Sequence, residues 1–260
     1  QSCKLLDAAT GKLRDEIRLP EDKAGGTFWK WIALQDGVLY ALLGPQEPAD
    51  EIARWRNTSH GWPWDGISKG YNQREYVWGF GNTLAAVDPK TKQVLWTHRE
   101  ELPIDSRSLC MNRTQIFFCN FGNYLACLDA KTGKQLWRRT AEKDPAVFEA
   151  IGRYRPGHGY IGGWKSTVYL RCTDRAIYFL GPQVNWLTAL SSEDGRVLFK
   201  YPVIDLHLVI RDDALYVIGP QNTNDQTAKL DPLTGEVLAR YNIRRRACTR
   251  STSNTESIFF

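Results

Sequence analysis

An all-β fold is what this sequence predicts, and three observations carry that reading. First, a strand–turn–strand unit recurs five times along the 260 residues. It is clearest at Leu125-Ala-Cys-Leu-Asp129-Ala-Lys-Thr132-Gly133-Lys-Gln-Leu-Trp137, and it can be aligned on Leu6-Asp7 to Gly11, Val87-Asp88 to Lys92, Leu128-Asp129 to Gly133, Leu190-Ser191 to Gly195 and Leu230-Asp231 to Gly235. Second, the turn positions of Lys92 and Gly133 lie 41 residues apart and those of Gly195 and Gly235 lie 40 apart, while the wider gaps leave room for insertions. Third, tryptophan and tyrosine are heavily used, 10 and 11 residues, and large flat side chains pack well on strands. A period near 40 built of strands and turns is the signature of propeller blades.

The turn has a physical logic. An aspartate that opens it can accept hydrogen bonds from backbone amides two or three residues on, and a glycine that closes it takes positive φ at little steric cost. Each interval also holds a second hairpin, which completes a four-stranded antiparallel blade. The strands are Phe28–Ile32 and Val38–Leu42 around Asp36-Gly37, and Ser108–Met111 and Gln115–Cys119 before the Gly122-Asn123 turn. Further along come Thr167–Cys172 and Ala176–Leu180 around Asp174-Arg175, then Leu206–Ile210 and Ala214–Ile218 around Asp212-Asp213. A twisted sheet with two apolar faces must bury both, so the blades are expected to form one domain over residues 1–260, about five blades.

Composition narrows the function classes. No apolar run reaches the roughly 18 residues of a membrane helix. The net charge of +5 is spread along the chain, and Arg244-Arg245-Arg246 is its one compact basic run, so nucleic acid is not the expected partner. The six cysteines show neither Cys-x-x-Cys spacing nor an adjacent pair, which argues against structural zinc. Cys119, Cys127 and Cys172 sit in apolar strands and read as buried thiols, with a disulfide drawn from Cys110, Cys119 and Cys127 left open. Gln1 is not followed by a signal segment, and Cys3–Asp7 already lies mid-repeat, so the chain reads as part of a longer propeller. The apolar Ile258-Phe259-Phe260 strand at the other end supports the same reading.

Two intervals break the rhythm, residues 45–81 and 145–163. The first contains His60-Gly-Trp62-Pro-Trp64-Asp65 and Tyr71–Trp78. The second contains Arg153-Tyr-Arg155-Pro-Gly-His158 and runs on to Trp164. Long aromatic loops point to binding. Trp62, Trp64, Asp65 and Trp164 are candidates for stacking and contact, and Arg153, Arg155, His158 and Arg244–Arg246 for anionic groups. The structural reading stands beside each: the tryptophans pack their loop onto a blade, and His158 and the arginine run are solvated.

The unit Ala86-Val-Asp88-Pro-Lys-Thr91-Lys-Gln-Val-Leu-Trp96 resembles the tryptophan-docking repeat of quinoprotein (PQQ-like) propellers, as does Cys127 to Trp137. The whole chain is similar to planctomycete-type PQQ-like repeat proteins. That family includes PQQ-dependent alcohol dehydrogenases and non-catalytic outer-membrane assembly propellers. The resemblance implies a ring of up to eight blades of which this chain is an incomplete part, an extracytoplasmic location, and docking of Trp96 and Trp137 onto the neighbouring blade. Asp15, Phe199 and Ala239 stand where the other copies would carry that tryptophan, with Phe199 the remaining docking candidate, and Lys92 stands for a glycine.

Three function classes follow. The expected one is a non-catalytic binding or scaffold module that recognises a protein or polymer through its rim loops. The alternative implied by resemblance is a dehydrogenase using PQQ with calcium, for which no base and no calcium ligands align and the vicinal cysteine pair is missing. The third, a hydrolase or lyase on the same scaffold, lacks any recognisable constellation. No catalytic and no metal-binding residue is assigned from sequence.

Overall fold

The structure, a computed structural model, describes residues 2–20, 28–45, 80–120, 122–152, 169–180, 186–202, 207–211, 213–218, 227–243, 252–254 and 256–259. It divides into two compact units, one of residues 1–138 and 154–163, the other of residues 139–153 and 164–260.

In the first unit, β1 (Cys3–Leu6) and β2 (Leu13–Ile17) form an antiparallel hairpin. Four strands then form a sheet in chain order, β3 (Phe28–Gln35), β4 (Val38–Gly44), β5 (Phe80–Val87) and β6 (Val94–Asp105). A 3₁₀ turn, Ser106–Ser108, leads into a second meander of β7 (Leu109–Met111), β8 (Gln115–Asn120), β9 (Tyr124–Asp129) and β10 (Gln135–Thr140), whose last two residues belong to the second unit.

The rest of the second unit opens with a helix, α1 (Pro145–Ile151). Two further meanders follow. One is β11 (Tyr169–Cys172), β12 (Ala176–Leu180), β13 (Trp186–Ser191) and β14 (Val197–Pro202); the other is β15 (His207–Ile210), β16 (Leu215–Ile218), β17 (Thr227–Leu230) and β18 (Val237–Tyr241). A short hairpin, β19 (Thr252–Ser253) with β20 (Ile258–Phe259), completes the described strands. The four-stranded meander is the blade that the repeat predicts.

The five repeat turns share one geometry. The backbone N–H of Asp7, Asp88, Asp129, Ser191 and Asp231 donates to the carbonyl five residues on, and each opening residue's carbonyl accepts from the residue four on. That closing residue has positive φ in every copy: Gly11 68°, Lys92 62°, Gly133 69°, Gly195 73° and Gly235 73°. Lys92 thus holds the left-handed conformation without being glycine, at a cost of about 1–2 kcal/mol. The β3–β4 turn is the two-residue type with both φ positive, Asp36 and Gly37, as Asp-Gly favours.

Sheet interiors are built from rows of cross-strand neighbours. Tyr40, Ala86 and Trp96 are consecutive partners across β4, β5 and β6, and Tyr178, Ala189 and Phe199 are partners across β12, β13 and β14. The alanine between two rings leaves room for both; the Tyr40 and Trp96 centroids are 6.1 Å apart. In the first unit these rows join a core of Leu42, Leu84, Ile104, Ile116, Phe118 and Leu128. In the second they join one of Leu187, Leu215, Val217 and Leu230.

One expectation from sequence changes here, and one open question closes. The segment from Pro145, read as the start of a long loop, begins with α1, because proline suits the first helical turn and Val147, Phe148, Ala150 and Ile151 fall on one buried face. The open question of a disulfide is answered: Cys3, Cys110, Cys119, Cys127 and Cys172 are thiols, and Cys248 lies outside the described residues. Burial pushes the Cys119 thiol far above its usual range, which keeps it protonated and inert.

The turn glycines differ in what surrounds them. A Cβ on Gly133 would lie 2.6 Å from the Trp96 ring, whereas one on Gly11 would meet nothing within 4 Å. Gly133→Ala should therefore cost about 1–2 kcal/mol for the backbone and about 1–3 kcal/mol for overpacking, and Gly11→Ala only the first. Urea denaturation at unchanged m-value checks this; equal losses at the two positions would show that the ring contact contributes nothing.

Candidate functional site

The sequence-predicted contact residues of the two insertions, Trp62, Trp64, Asp65, Arg153, Arg155, His158 and Trp164, lie outside the described residues, as do Arg244, Arg245 and Arg246. Their points of attachment are described. β4 ends at Gly44 and β5 begins at Phe80, at the end of the sheet opposite its Asp88–Lys92 turn. β10 runs away from the Asp129–Gly133 turn, and α1 follows it in the chain. Helix α1 is tied to β13 within its own unit, because the Ala150 carbonyl accepts both the Trp186 indole N–H, at 2.8 Å, and the Thr188 hydroxyl.

The turn carboxylates are occupied. Asp129 Oδ1 accepts from the Thr132 amide and hydroxyl, both at 2.7 Å. Asp7, Asp88 and Asp231 accept from the amides two and three residues on. These bonds favour the ionised form, so each carboxyl titrates below its ordinary value: the Thr10 hydroxyl contributes most at Asp7, the Lys90 amide at Asp88, the Thr132 hydroxyl at Asp129 and the Thr234 amide at Asp231. Among the described residues no group of three or more His, Cys, Asp and Glu side chains is placed to hold a metal.

The aromatic positions show how neighbouring sheets are joined. Trp96 lies over the backbone of Gly133 and donates its indole N–H to the Ala130 carbonyl at 3.0 Å. Phe199 lies over Gly235 in the same manner but has no N–H. The matching carbonyl there, Pro232, accepts instead from the Tyr178 hydroxyl at 2.9 Å. One indole in the first unit is thus divided between two rings in the second. Burial pushes the Tyr178 phenol up to about 12, so it stays a donor throughout the physiological range. Trp137 lies 6.1 Å from Phe117 on its own sheet.

Sequence reading missed the most elaborate polar arrangement. Gly81 pairs with Ile104 and Thr83 with Arg99, so residues 100–103 of β6 bulge out of register. Side chains satisfy the bulge's carbonyls. Asn82 Nδ2 donates to Glu100 and Glu101 at 3.0 and 3.2 Å, the Tyr124 hydroxyl to Leu102 at 2.9 Å, and Asn120 Nδ2 to Pro103 at 2.6 Å. The bulge turns Glu100 inward, where its side chain is 7% exposed. Arg138 Nη1 from β10 bonds both carboxylate oxygens, at 2.9 and 3.0 Å, and His98 Nε2 lies 2.8 Å from one. The Arg138 guanidinium also stacks on Tyr124, 3.9 Å from the ring centroid. Burial pushes the Glu100 carboxyl up, but the bonds from His98 and Arg138 and their charge outweigh it, and it titrates below the usual range. Both oxygens being engaged, this carboxylate serves as an anchor between the β3–β6 and β7–β10 sheets. The only trace in the sequence is three polar side chains, Asn82, Asn120 and Tyr124, at strand ends.

Because Glu100's folded value is lowered, its contribution to stability is complete above the unfolded value of about 4.3 and is lost as pH falls through the folded value. Glu100→Gln should cost about 2 kcal/mol at neutral pH and flatten the acid limb of the stability curve below about pH 4.3. Melts of the natural chain and the variant across that window check it; parallel curves would mean the carboxylate contributes no charge-dependent stability. Tyr178→Phe, which leaves the Pro232 carbonyl without that donor, should cost about 1–2 kcal/mol in the same assay.

The comparisons with known proteins can now be set beside this geometry. A family model described as outer membrane protein assembly factor BamB matches residues 47–155 and 81–258. Among solved structures, BamB from Moraxella catarrhalis is similar at 12% identity and a TM-score of 0.51, covering 95% of this chain and 61% of that one. The computationally designed Ika4 protein aligns at 10% identity and a TM-score of 0.40, over 74% of this chain and 85% of that one. The present chain thus spans 61% of the length of the Moraxella protein. No curated protein matches. The likeness shows the fold, a propeller of PQQ-type repeats.

Proposed function

The chain belongs to the family of the outer membrane protein assembly factor BamB, and from that premise we propose that it is a non-catalytic binding or scaffold propeller. It recognises a partner protein or polymer through the insertions at 45–81 and 145–163. The observation that carries this reading is how the repeat carboxylates and aromatics are used. The turn aspartates hold backbone amides, and Trp96 and Phe199 hold neighbouring turns, so the repeats supply rigidity while the tryptophan- and arginine-rich insertions carry the groups suited to contact. The first insertion joins β4 to β5 at the end of their sheet opposite the Asp88–Lys92 turn, which supports a role apart from the repeat turns.

The proposal extends to place. No helix among the described residues is long and apolar enough to cross a membrane. The same reading places it outside the cytoplasm, in the periplasm or at the cell surface, which the family's outer-membrane name supports.

Titration of the purified chain with PQQ, with and without calcium, read by tryptophan fluorescence, tests it first. The expected result is no saturable, calcium-dependent quenching. One-to-one quenching would replace the scaffold reading with a quinone-dependent dehydrogenase. Partner capture with Trp62→Ala, Trp64→Ala and Trp164→Ala variants is the second arm. Losses of about 2 kcal/mol, roughly thirtyfold in affinity, are expected at a central aromatic, with unchanged melting temperature.

A further inference from the structure

We propose that the β1–β2 hairpin is tied to the β3–β6 sheet by an electrostatic latch, Asp15–Lys92, and that ionic strength weakens it. Asp15 occupies the position that Trp96 and Phe199 occupy in their repeats, and Lys92 occupies the position of Gly133 and Gly235. At those other junctions the ring lies on the glycine. Here Lys92 Nζ lies 2.6 Å from Asp15 Oδ1, so a carboxylate and an ammonium replace ring and glycine at the same place. Lys92 keeps the left-handed turn, at φ 62°, and thereby carries its ammonium to the hairpin.

The exchange alters what the junction responds to. A half-buried ring contact is insensitive to salt, whereas this pair is open to solvent, the two side chains being 42% and 44% exposed. Such pairs are screened as the Debye length falls from about 10 Å at 0.1 M to about 3 Å at 1 M. Among the described residues, the other ion pairs of this segment, Arg14–Asp7 and Arg18–Glu16, join residues of the segment itself and do not tie it to the sheet. Beneath the latch lies a small apolar contact of Ile17 with Leu39 and Val87, edged by Cys3, Leu5, Leu19 and Trp29. The ion pair is therefore the salt-responsive part of this junction, and the apolar contact is the part that salt leaves unchanged.

Hydrogen–deuterium exchange of the natural chain tests this, with peptides from Cys3–Ile17 compared with Tyr124–Asp129 as an internal reference. Raising NaCl from about 0.05 to about 0.5 M should speed exchange in the hairpin about two- to fivefold relative to the reference, as expected for an exposed pair. Asp15→Asn and Lys92→Gln should each show the fast rate at low salt and no response to added salt. A hairpin whose exchange is independent of salt in the natural chain, or a neutral variant that keeps the full response, would overturn the proposal.

Discussion

A twisted four-stranded sheet has two apolar faces and only its neighbours to bury them against, so the junction between sheets governs everything else in this chain. Its unit is a ring laid on the turn of the next repeat. The ring needs a small residue beside it on its own sheet, met by Ala86 and Ala189, and a flat backbone surface on the next, met by Gly133 and Gly235. The turn glycine therefore serves two constraints at once, the left-handed φ and the absence of a side chain under the ring. Where only the first constraint operates, another residue can stand in, and Lys92 does.

The junctions show how one requirement is met by different chemistry. The turn carbonyl after the aspartate needs a donor. Trp96 provides it from the ring that fills the junction, while Phe199 fills the junction and leaves donation to Tyr178. Tyr40 occupies the place of Tyr178 in its own sheet, beside a tryptophan that already donates. In the β15–β18 sheet the equivalent row is Tyr216, Lys229 and Ala239, with the Lys229 stem and ammonium over the Tyr216 ring at 5.7 Å. A repeat can drift in sequence this far because the junction fixes volume and hydrogen bonding, and several residue sets satisfy both.

The repeat made the fold legible. The period, the Asp-x-x-Thr-Gly turns and the paired hairpins place most of the described strands, because turn chemistry and alternation are local properties of sequence. The residues that depart from the motif, Asp15, Lys92 and Phe199, were visible as departures, but their pairing was not, since Asp15 meets Lys92 77 residues away. The bulge at Glu100–Pro103 was invisible for the same reason. Its donors come from β5, from β8 and from the start of β9, and nothing in the local pattern of β6 announces that register is lost between Arg99 and Ile104. Helix α1 was missed because seven residues give barely two turns of periodicity, too few to stand out inside a polar stretch.

The bulge and the latch show the same physics used at opposite degrees of burial. Both tie one sheet or hairpin to the next through a carboxylate and a cation. Glu100 is almost wholly withdrawn from water, and its partners are correspondingly complete: two bonds from Arg138, one contact with His98, and a tyrosine ring under the guanidinium. Anything less would leave a buried charge uncompensated, at a cost of several kcal/mol. Asp15 and Lys92 remain in water, and besides the Lys92 ammonium Asp15 accepts only from the neighbouring Glu16 amide among the described residues. An anchor that must not yield is therefore desolvated and fully bonded, and a contact that can open is left wet. The degree of burial, more than the identity of the charged pair, sets how firmly each element is held.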